Sequence, residues 1–135
     1  MRMDREEKYK RNMKCLDRWM TAHENGNYAA DYLKTIQVKE IGIYGYGILG
    51  KHLVYELQKE KFPIQWIMDK RPFRDDKIYI VRPDDQKERK DVGLAVITAL
   101  AEVEEIEMFL SDFVTGQILS IEELIENLYR WGIQK

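Results

Sequence analysis

The sequence has a single cysteine, almost no net charge and no long apolar run. One cysteine, Cys15, excludes a framework of internal disulfides and a zinc site built from several cysteines. A membrane-spanning helix needs about 18 uninterrupted apolar residues, and the charged N-terminus lacks the apolar region of a signal peptide. These absences favour a cytoplasmic protein with no membrane partner, in which Cys15 is a small buried apolar side chain.

The balance of charge argues against a nucleic-acid partner. The 22 basic and 24 acidic residues leave a net charge of −2, whereas binding to phosphate backbones requires a basic surface. Apolar residues make up 44% of the chain and charged residues 34%, within 135 residues. That composition and length are typical of one globular domain with its own hydrophobic core.

The clearest motif is a glycine loop that follows the short apolar segment Ile41–Tyr44 and opens a helical pattern. In this context Gly45 allows a tight turn, Gly47 lets the backbone approach a pyrophosphate, and Gly50 lets the helix pack closely on the sheet. The helix N-terminus adds N–H groups and a partial positive charge. The motif predicts a Rossmann-type nucleotide-binding site, with loop candidates Gly45, Tyr46, Gly47, Ile48, Leu49 and Gly50.

Asp69 follows a second apolar segment, Ile64–Met68, and lies 19 residues beyond Gly50. An acidic residue at this distance, at the tip of the second strand, is typical of dinucleotide sites, where it accepts hydrogen bonds from the ribose hydroxyls. Its charge would repel a 2′-phosphate, which favours NAD as the cofactor. The alternative is a polar residue that only terminates the strand.

Three further candidates lie at expected strand ends. Lys70 and Arg71 follow Asp69, and the Arg71 guanidinium either binds a phosphate or is a solvated loop cation. Thr98 follows a strongly apolar segment. Its hydroxyl either donates to a phosphate oxygen or simply belongs to a β-branched residue that ends a strand.

From Lys39 onward, strand and helix patterns alternate, which predicts an α/β fold with a doubly wound parallel sheet. Ser120 and Glu123 have the spacing of a capping box and predict the start of the last helix. Right-handed crossovers predict the strand order 3-2-1-4-5, with the ligand cleft between strands 1 and 4. The five predicted strands are Ile41–Tyr44, Ile64–Met68, Ile78–Val81, Val92–Ala99 and Gln117–Ser120.

Residues 1–38 are predicted to form an N-terminal helical hairpin, followed by the Rossmann-like domain at 39–135. The first helix, 4–24, has an apolar stripe that needs cover. A homodimer formed through the N-terminal helices would supply it, and so would packing of the arm onto its own domain. The stripe consists of Tyr9, Met13, Leu16 and Met20, with Trp19 beside it.

Evidence for catalysis is sparse. The two histidines, His23 in the arm and His52 on the first helix of the Rossmann-like domain, are interpreted as structural residues. No cluster of histidine and acidic residues has metal-binding spacing. We therefore predict a non-catalytic or regulatory nucleotide-binding module. The alternatives are an NAD-dependent oxidoreductase or sugar-nucleotide enzyme that completes its site by dimerisation, and a ligand-free interaction scaffold.

From Trp19 onward, the chain resembles a family of small Rossmann-like modules that accompany bacterial glycosyltransferases of cell-surface polysaccharide synthesis and phosphocholine-transferase-like proteins. The resemblance implies that the chain binds a nucleotide or nucleotide-sugar, has no catalytic residues of its own, and has a glycosyltransferase as a possible partner. It rests on four segments: Ile41–Gly50, Trp66–Lys70, Val92–Thr98 and Ile118–Leu124.

Overall fold

The fold was analysed in a computed structural model that describes residues 3–71 and 77–134. Helices and strands alternate after two N-terminal helices. The helices are α1 (Arg5–Glu24), α2 (Ala29–Thr35), α3 (Ile48–Lys59), α4 (Val103–Leu110) and α5 (Ile121–Gln134), and the strands are β1 (Ile41–Tyr44), β2 (Ile64–Met68), β3 (Leu94–Ile97) and β4 (Gln117–Ser120). Two 3₁₀ turns lie at Gln86–Glu88 and Leu100–Glu102.

The four strands form one sheet in the order β2-β1-β3-β4, and every neighbouring pair is parallel. The fold class is therefore α/β with a parallel sheet. In the central pair, Ile41 lies opposite Leu94 and Tyr44 opposite Ile97. Both central strands are buried along their whole length, as parallel strands covered on two faces should be.

The predicted strand Ile78–Val81 is reduced to one parallel bridge, between Val81 and Met68. Val81 N donates to Ile67 O at 2.8 Å, and Asp69 N donates to Val81 O at 3.1 Å. Residues 78–80, which precede Val81, do not pair with β2 and begin with a bend at Ile78. The described residues thus form four strands rather than five.

Helices cover both faces of the sheet. On one face, apolar residues of β1 and β3 share a core cluster with α1, α2, α3 and α5. On the other face, Ala95 and Ile97 pack with Ile106 and Leu110 of α4. The crossover helices α3 and α4 therefore leave the neighbouring strands β1 and β3 toward opposite faces. A cleft is expected at such a point, outside the carboxyl ends of the two strands.

The last helix begins at the predicted capping box. Glu123 N donates to Ser120 Oγ at 3.2 Å, and Ser120 N donates to Glu123 Oε1 at 3.1 Å. This reciprocal pair satisfies two N–H groups that a helix N-terminus otherwise leaves without partners. The capping box prediction is confirmed.

The first helix packs onto its own chain through a face that overlaps only in part with the predicted stripe, since Leu16 of that stripe packs against the core. Cys15, Trp19 and Ala22 are buried in the core, whereas Tyr9, Met13 and Met20 are exposed. Burial raises the pKa of the Cys15 thiol to about 12, with the negative charge of Glu122 adding to the effect. Cys15 is therefore a buried, protonated thiol, as predicted, and a poor nucleophile.

A buried carboxylate ties the two N-terminal helices to α3. Glu56 of α3 accepts from Trp19 Nε1 at 2.9 Å through Oε1 and from Ala29 N at 2.7 Å through Oε2. Ala29 is the first residue of α2, and its N-cap residue, Tyr28, supplies no side-chain cap. His23 Nε2 lies in contact with Glu56 Oε1, without the geometry of a hydrogen bond. Glu56 thus caps α2 and anchors α1.

Candidate functional site

An open cleft of about 780 Å³ lies at the carboxyl ends of β1 and β3. Small-molecule sites commonly have volumes of roughly 300–1,000 Å³. Parts of the cleft wall come from the glycine loop, the turn after β2 and the segment after β3. Seven of the ten predicted site residues line it: Gly45, Gly47, Ile48, Leu49, Lys70, Arg71 and Thr98.

The glycine loop is a rigid turn between β1 and α3. Gly45 has a φ of +111°, a conformation that side chains with a Cβ rarely adopt. A Cβ at Gly50 would overlap the Gly45 carbonyl oxygen and lie 2.9 Å from Thr98 Oγ1. The Thr98 hydroxyl donates to Gly45 O at 2.8 Å. Gly45 and Gly50 are therefore required by the packing of the loop itself.

Asp69 also holds the loop. Its Oδ2 accepts from Tyr46 N at 2.8 Å, and its Oδ1 accepts from Arg71 N at 2.8 Å. The residue is only 4% exposed and does not line the cleft. The side chain of Tyr46 is buried in the apolar core cluster. The structure thus places the carboxylate beneath the loop, where it joins the end of β2 to the glycine turn.

Gly47 differs from the other two glycines because nothing in the fold crowds it. It is the N-cap residue of α3, with a φ of −83° that any residue can adopt. The nearest atom to a Cβ built there is Arg71 Nη2, at 3.5 Å, an ordinary van der Waals distance. Gly47 has no side chain with which to cap α3, and the first turn of α3 contains no acidic residue. The positive end of α3 therefore faces the cleft beside a guanidinium.

Charges of both signs line the cleft. Lys70, in the turn after β2, forms an ion pair across the cleft with Glu102, in the 3₁₀ turn after β3. The hydrogen bond from Lys70 to Glu102 and the carboxylate charge raise the pKa of the Lys70 amine. Lys70 therefore stays cationic at neutral pH. Among the described residues, no group of three or more histidines, cysteines or acidic residues could hold a metal ion.

The N-terminal helix supplies a wall of the cleft that sequence reasoning missed. It is lined by Lys8, Tyr9 and Asn12 of α1, which precede the glycine loop by more than 30 residues in the sequence. Asn12 follows Lys8 by four residues and Tyr9 by three, so its side chain neighbours each of theirs on the helix surface. No local pattern signals this role, because it depends on how α1 packs against α5 and α3.

Two further motifs overlap with the loop and its helix. Gly45, Gly50 and Lys51 match the first part of the P-loop pattern, but His52 stands where that pattern requires serine or threonine. Since α3 already begins at Ile48, Lys51 lies inside the helix and does not line the cleft.

Tyr55 and Lys59 of α3 have the spacing Tyr-x-x-x-Lys, yet both are exposed and lie outside the cleft lining.

In comparisons with known proteins, no protein-family model, curated protein or solved structure gives a significant match to this chain. Across the described ranges 3–71 and 77–134, no helix is both long enough and apolar enough to cross a bilayer.

Proposed function

We propose that the protein is a nucleotide-binding module that holds the phosphates of its ligand between the glycine loop and Arg71. The observation that carries this proposal is the environment of Gly47. Its missing side chain leaves open backbone at the positive end of α3, 3.5 Å from the Arg71 guanidinium when measured from a built Cβ. The fold does not need a glycine there, whereas an approaching phosphate does.

The surroundings of Gly47 support binding of an anion. The adjacent N–H groups of the first helical turn have no intrahelical acceptor. Lys70 and Arg71 add two cations to the cleft lining, each paired with a carboxylate: Lys70 with Glu102, and Arg71 Nε with Asp69 Oδ1 at 3.6 Å. Asp69 accepts hydrogen bonds from Tyr46 N and Arg71 N. These bonds hold the loop and the backbone of Arg71 in place before any ligand binds. A preorganised site loses less conformational entropy on ligand binding than a flexible site does.

We also infer that the sheet is Rossmann-like and that Ile78–Val81 is the remnant of its outer strand. The order β2-β1-β3-β4 supports this, and so does the position of Val81, which bridges to the far side of β2. Both features agree with the order 3-2-1-4-5 expected for right-handed crossovers.

The resemblance to polysaccharide-associated modules supports the wider setting. We propose that the module is non-catalytic or regulatory, binds NAD(H) or a nucleotide-sugar, and serves cell-surface polysaccharide synthesis beside a glycosyltransferase. The segment Ile41–Gly50, which carries part of this resemblance, supplies Gly45, Gly47, Ile48 and Leu49 to the cleft lining. Glycosyl transfer consumes nucleotide-sugars, so a module that senses them would suit that setting.

The first test separates phosphate binding from folding. Gly47→Val is expected to abolish binding of pyrophosphate, because the side chain would fill the space beside Arg71 that the phosphate needs. Arg71→Gln is expected to weaken binding by about tenfold, the size of one charge-assisted contact. Calorimetric titration with pyrophosphate and with nucleotides measures both effects.

Arg130→Gln is the matched control, since Arg130 is an exposed arginine on α5 outside the cleft lining. It should bind as the wild type does. Thermal unfolding of Gly47→Val should stay close to that of the wild type. Unchanged pyrophosphate affinity in both cleft variants, or no binding to the wild-type protein, would overturn the proposed function.

A second prediction concerns the ion pair across the cleft. Glu102→Gln should raise the affinity for pyrophosphate by about three- to tenfold at low salt, because it removes a like charge and releases Lys70 to the ligand. The gain should shrink above physiological ionic strength as the charges are screened. Glu104→Gln, an exposed change in the first turn of α4 outside the cleft lining, should have no comparable effect. A loss of affinity in Glu102→Gln would show that the carboxylate itself contacts the ligand.

A further inference from the structure

We propose that α1 is the base-binding wall of the cleft, that Tyr9 packs against the base, and that, of the two ligand classes proposed above, the site takes the nucleoside diphosphate of a nucleotide-sugar rather than the dinucleotide NAD(H). This inference rests on the proposed phosphate site and names its ligand class. It follows from three observations: the position of Asp69, the side chains that α1 brings to the cleft, and the way α1 is held.

Within the described residues 3–71 and 77–134, the carboxylate expected to bind the ribose of a dinucleotide does not reach the cleft. In dinucleotide sites, the acidic residue at the end of the second strand accepts from the ribose hydroxyls. Here both oxygens of Asp69 accept backbone N–H groups, from Tyr46 and Arg71, and the carboxylate does not line the cleft. A nucleoside that binds beside the phosphate site must therefore be held by another wall.

The α1 side of the cleft lining carries side chains suited to a base. Tyr9 is 51% exposed and lines the cleft together with Lys8 and Asn12. An aromatic ring offers a stacking surface for any base, and an amide offers both a donor and an acceptor to its polar edge. Arg5 Nε and Nη2 donate to Tyr9 Oη at 3.3 Å, which restrains the phenol at the cleft.

The wall is fixed to the body of the protein. Arg11, between Tyr9 and the buried part of α1, forms an ion pair with Glu122 of α5. One turn further on, Cys15 and Trp19 are buried in the core. Tyr9 therefore does not depend on a partner chain for its position. Tyr9 on α1 and the glycine loop line the same cleft, which makes a site for one nucleoside with its phosphates.

Calorimetric titrations with the full chain test this inference, using pyrophosphate, ADP, GDP, CDP, UDP and NAD as probes. We expect at least one nucleoside diphosphate to bind about tenfold more tightly than either pyrophosphate or NAD. Tyr9→Ala should remove about tenfold from that affinity, within the range measured for base stacking on aromatic side chains. Its affinity for pyrophosphate should change by less than about twofold, because the phosphates do not touch Tyr9.

Two variants serve as controls. Tyr9→Phe keeps the ring and should keep the affinity for the nucleoside diphosphate. Met13→Ala changes another exposed residue of α1, one turn beyond Tyr9 and outside the cleft lining, and should bind as the wild type does.

The outcomes distinguish the inference from the proposed function. Tighter binding of NAD than of every nucleoside diphosphate would overturn the inference alone. The inference would also be overturned if no nucleoside diphosphate bound more tightly than pyrophosphate. The same holds if Tyr9→Ala lowered the affinity for pyrophosphate and for the nucleoside diphosphate by the same factor. If neither pyrophosphate nor any nucleotide binds the wild-type protein, both proposals fail.

Discussion

Replacing Glu56 with alanine is expected to lower the free energy of unfolding by about 3–5 kcal/mol and the melting temperature by roughly 10–20 °C. The carboxylate is buried and accepts from the Trp19 indole and the Ala29 amide. Alanine would leave both donors buried without an acceptor, and each such group costs about 1–3 kcal/mol. His23 would lose its neighbour as well. Urea unfolding at neutral pH measures the loss.

Matched variants identify the cause of that loss. Glu56→Gln keeps one acceptor oxygen but turns an N–H₂ group toward the other donor, so we expect about half the loss of the alanine variant. Glu60→Ala, an exposed change at the end of the same helix, should alter stability by less than about 0.5 kcal/mol. A loss below about 1 kcal/mol in Glu56→Ala would contradict the role assigned to this carboxylate.

Replacing Gly50 with alanine is expected to destabilise the protein by about 3 kcal/mol or more, although alanine is the better helix former. Helix propensity alone predicts a gain of roughly 0.5–1 kcal/mol at a helical glycine. The built Cβ, however, lies 2.8 Å from the Gly45 carbonyl carbon and overlaps its oxygen. Backbone cannot move aside as a flexible side chain can, so α3 must shift away from the loop. Chemical unfolding measures whether the free energy of unfolding rises or falls in this variant.

Gly47→Ala is the control for this prediction. It lies in the same loop, three residues earlier, with nothing closer to its built Cβ than Arg71 Nη2 at 3.5 Å. Its stability should stay within about 1 kcal/mol of the wild type. If Gly50→Ala proved as stable as Gly47→Ala, the close approach of α3 to Gly45 would be wrong. The two glycines thus separate a demand of the fold from a demand of the ligand.

The local elements could be predicted from the sequence because their signals are local. The strands β1, β2 and β4 have the predicted bounds, since short apolar segments between turn residues indicate strands. The capping box at Ser120 and Glu123 needs only residues three apart. The third predicted strand was wrong as a full strand: its apolar pattern is real, but only Val81 pairs with β2.

Periodicity did not reveal which face of α1 is buried. The predicted stripe contains Tyr9, Met13 and Met20, yet the core takes Cys15, Trp19 and Ala22. Adjacent residues point about 100° apart on a helix, so both faces offered apolar side chains. The buried face is the one that contacts α3, where Glu56 accepts a hydrogen bond from the Trp19 indole. No pattern within α1 encodes that contact.

By itself the sequence determined the α/β alternation, the glycine turn between β1 and α3, and the residues that could meet at the strand ends. These depend on spacing and on backbone conformation, which neighbouring residues specify. Only the tertiary structure decided that Asp69 binds the loop beneath the cleft, that Glu56 joins three helices, and that Tyr9 lines the cleft together with the glycine loop. Each of these depends on contacts between segments more than 20 residues apart, where packing selects the partners.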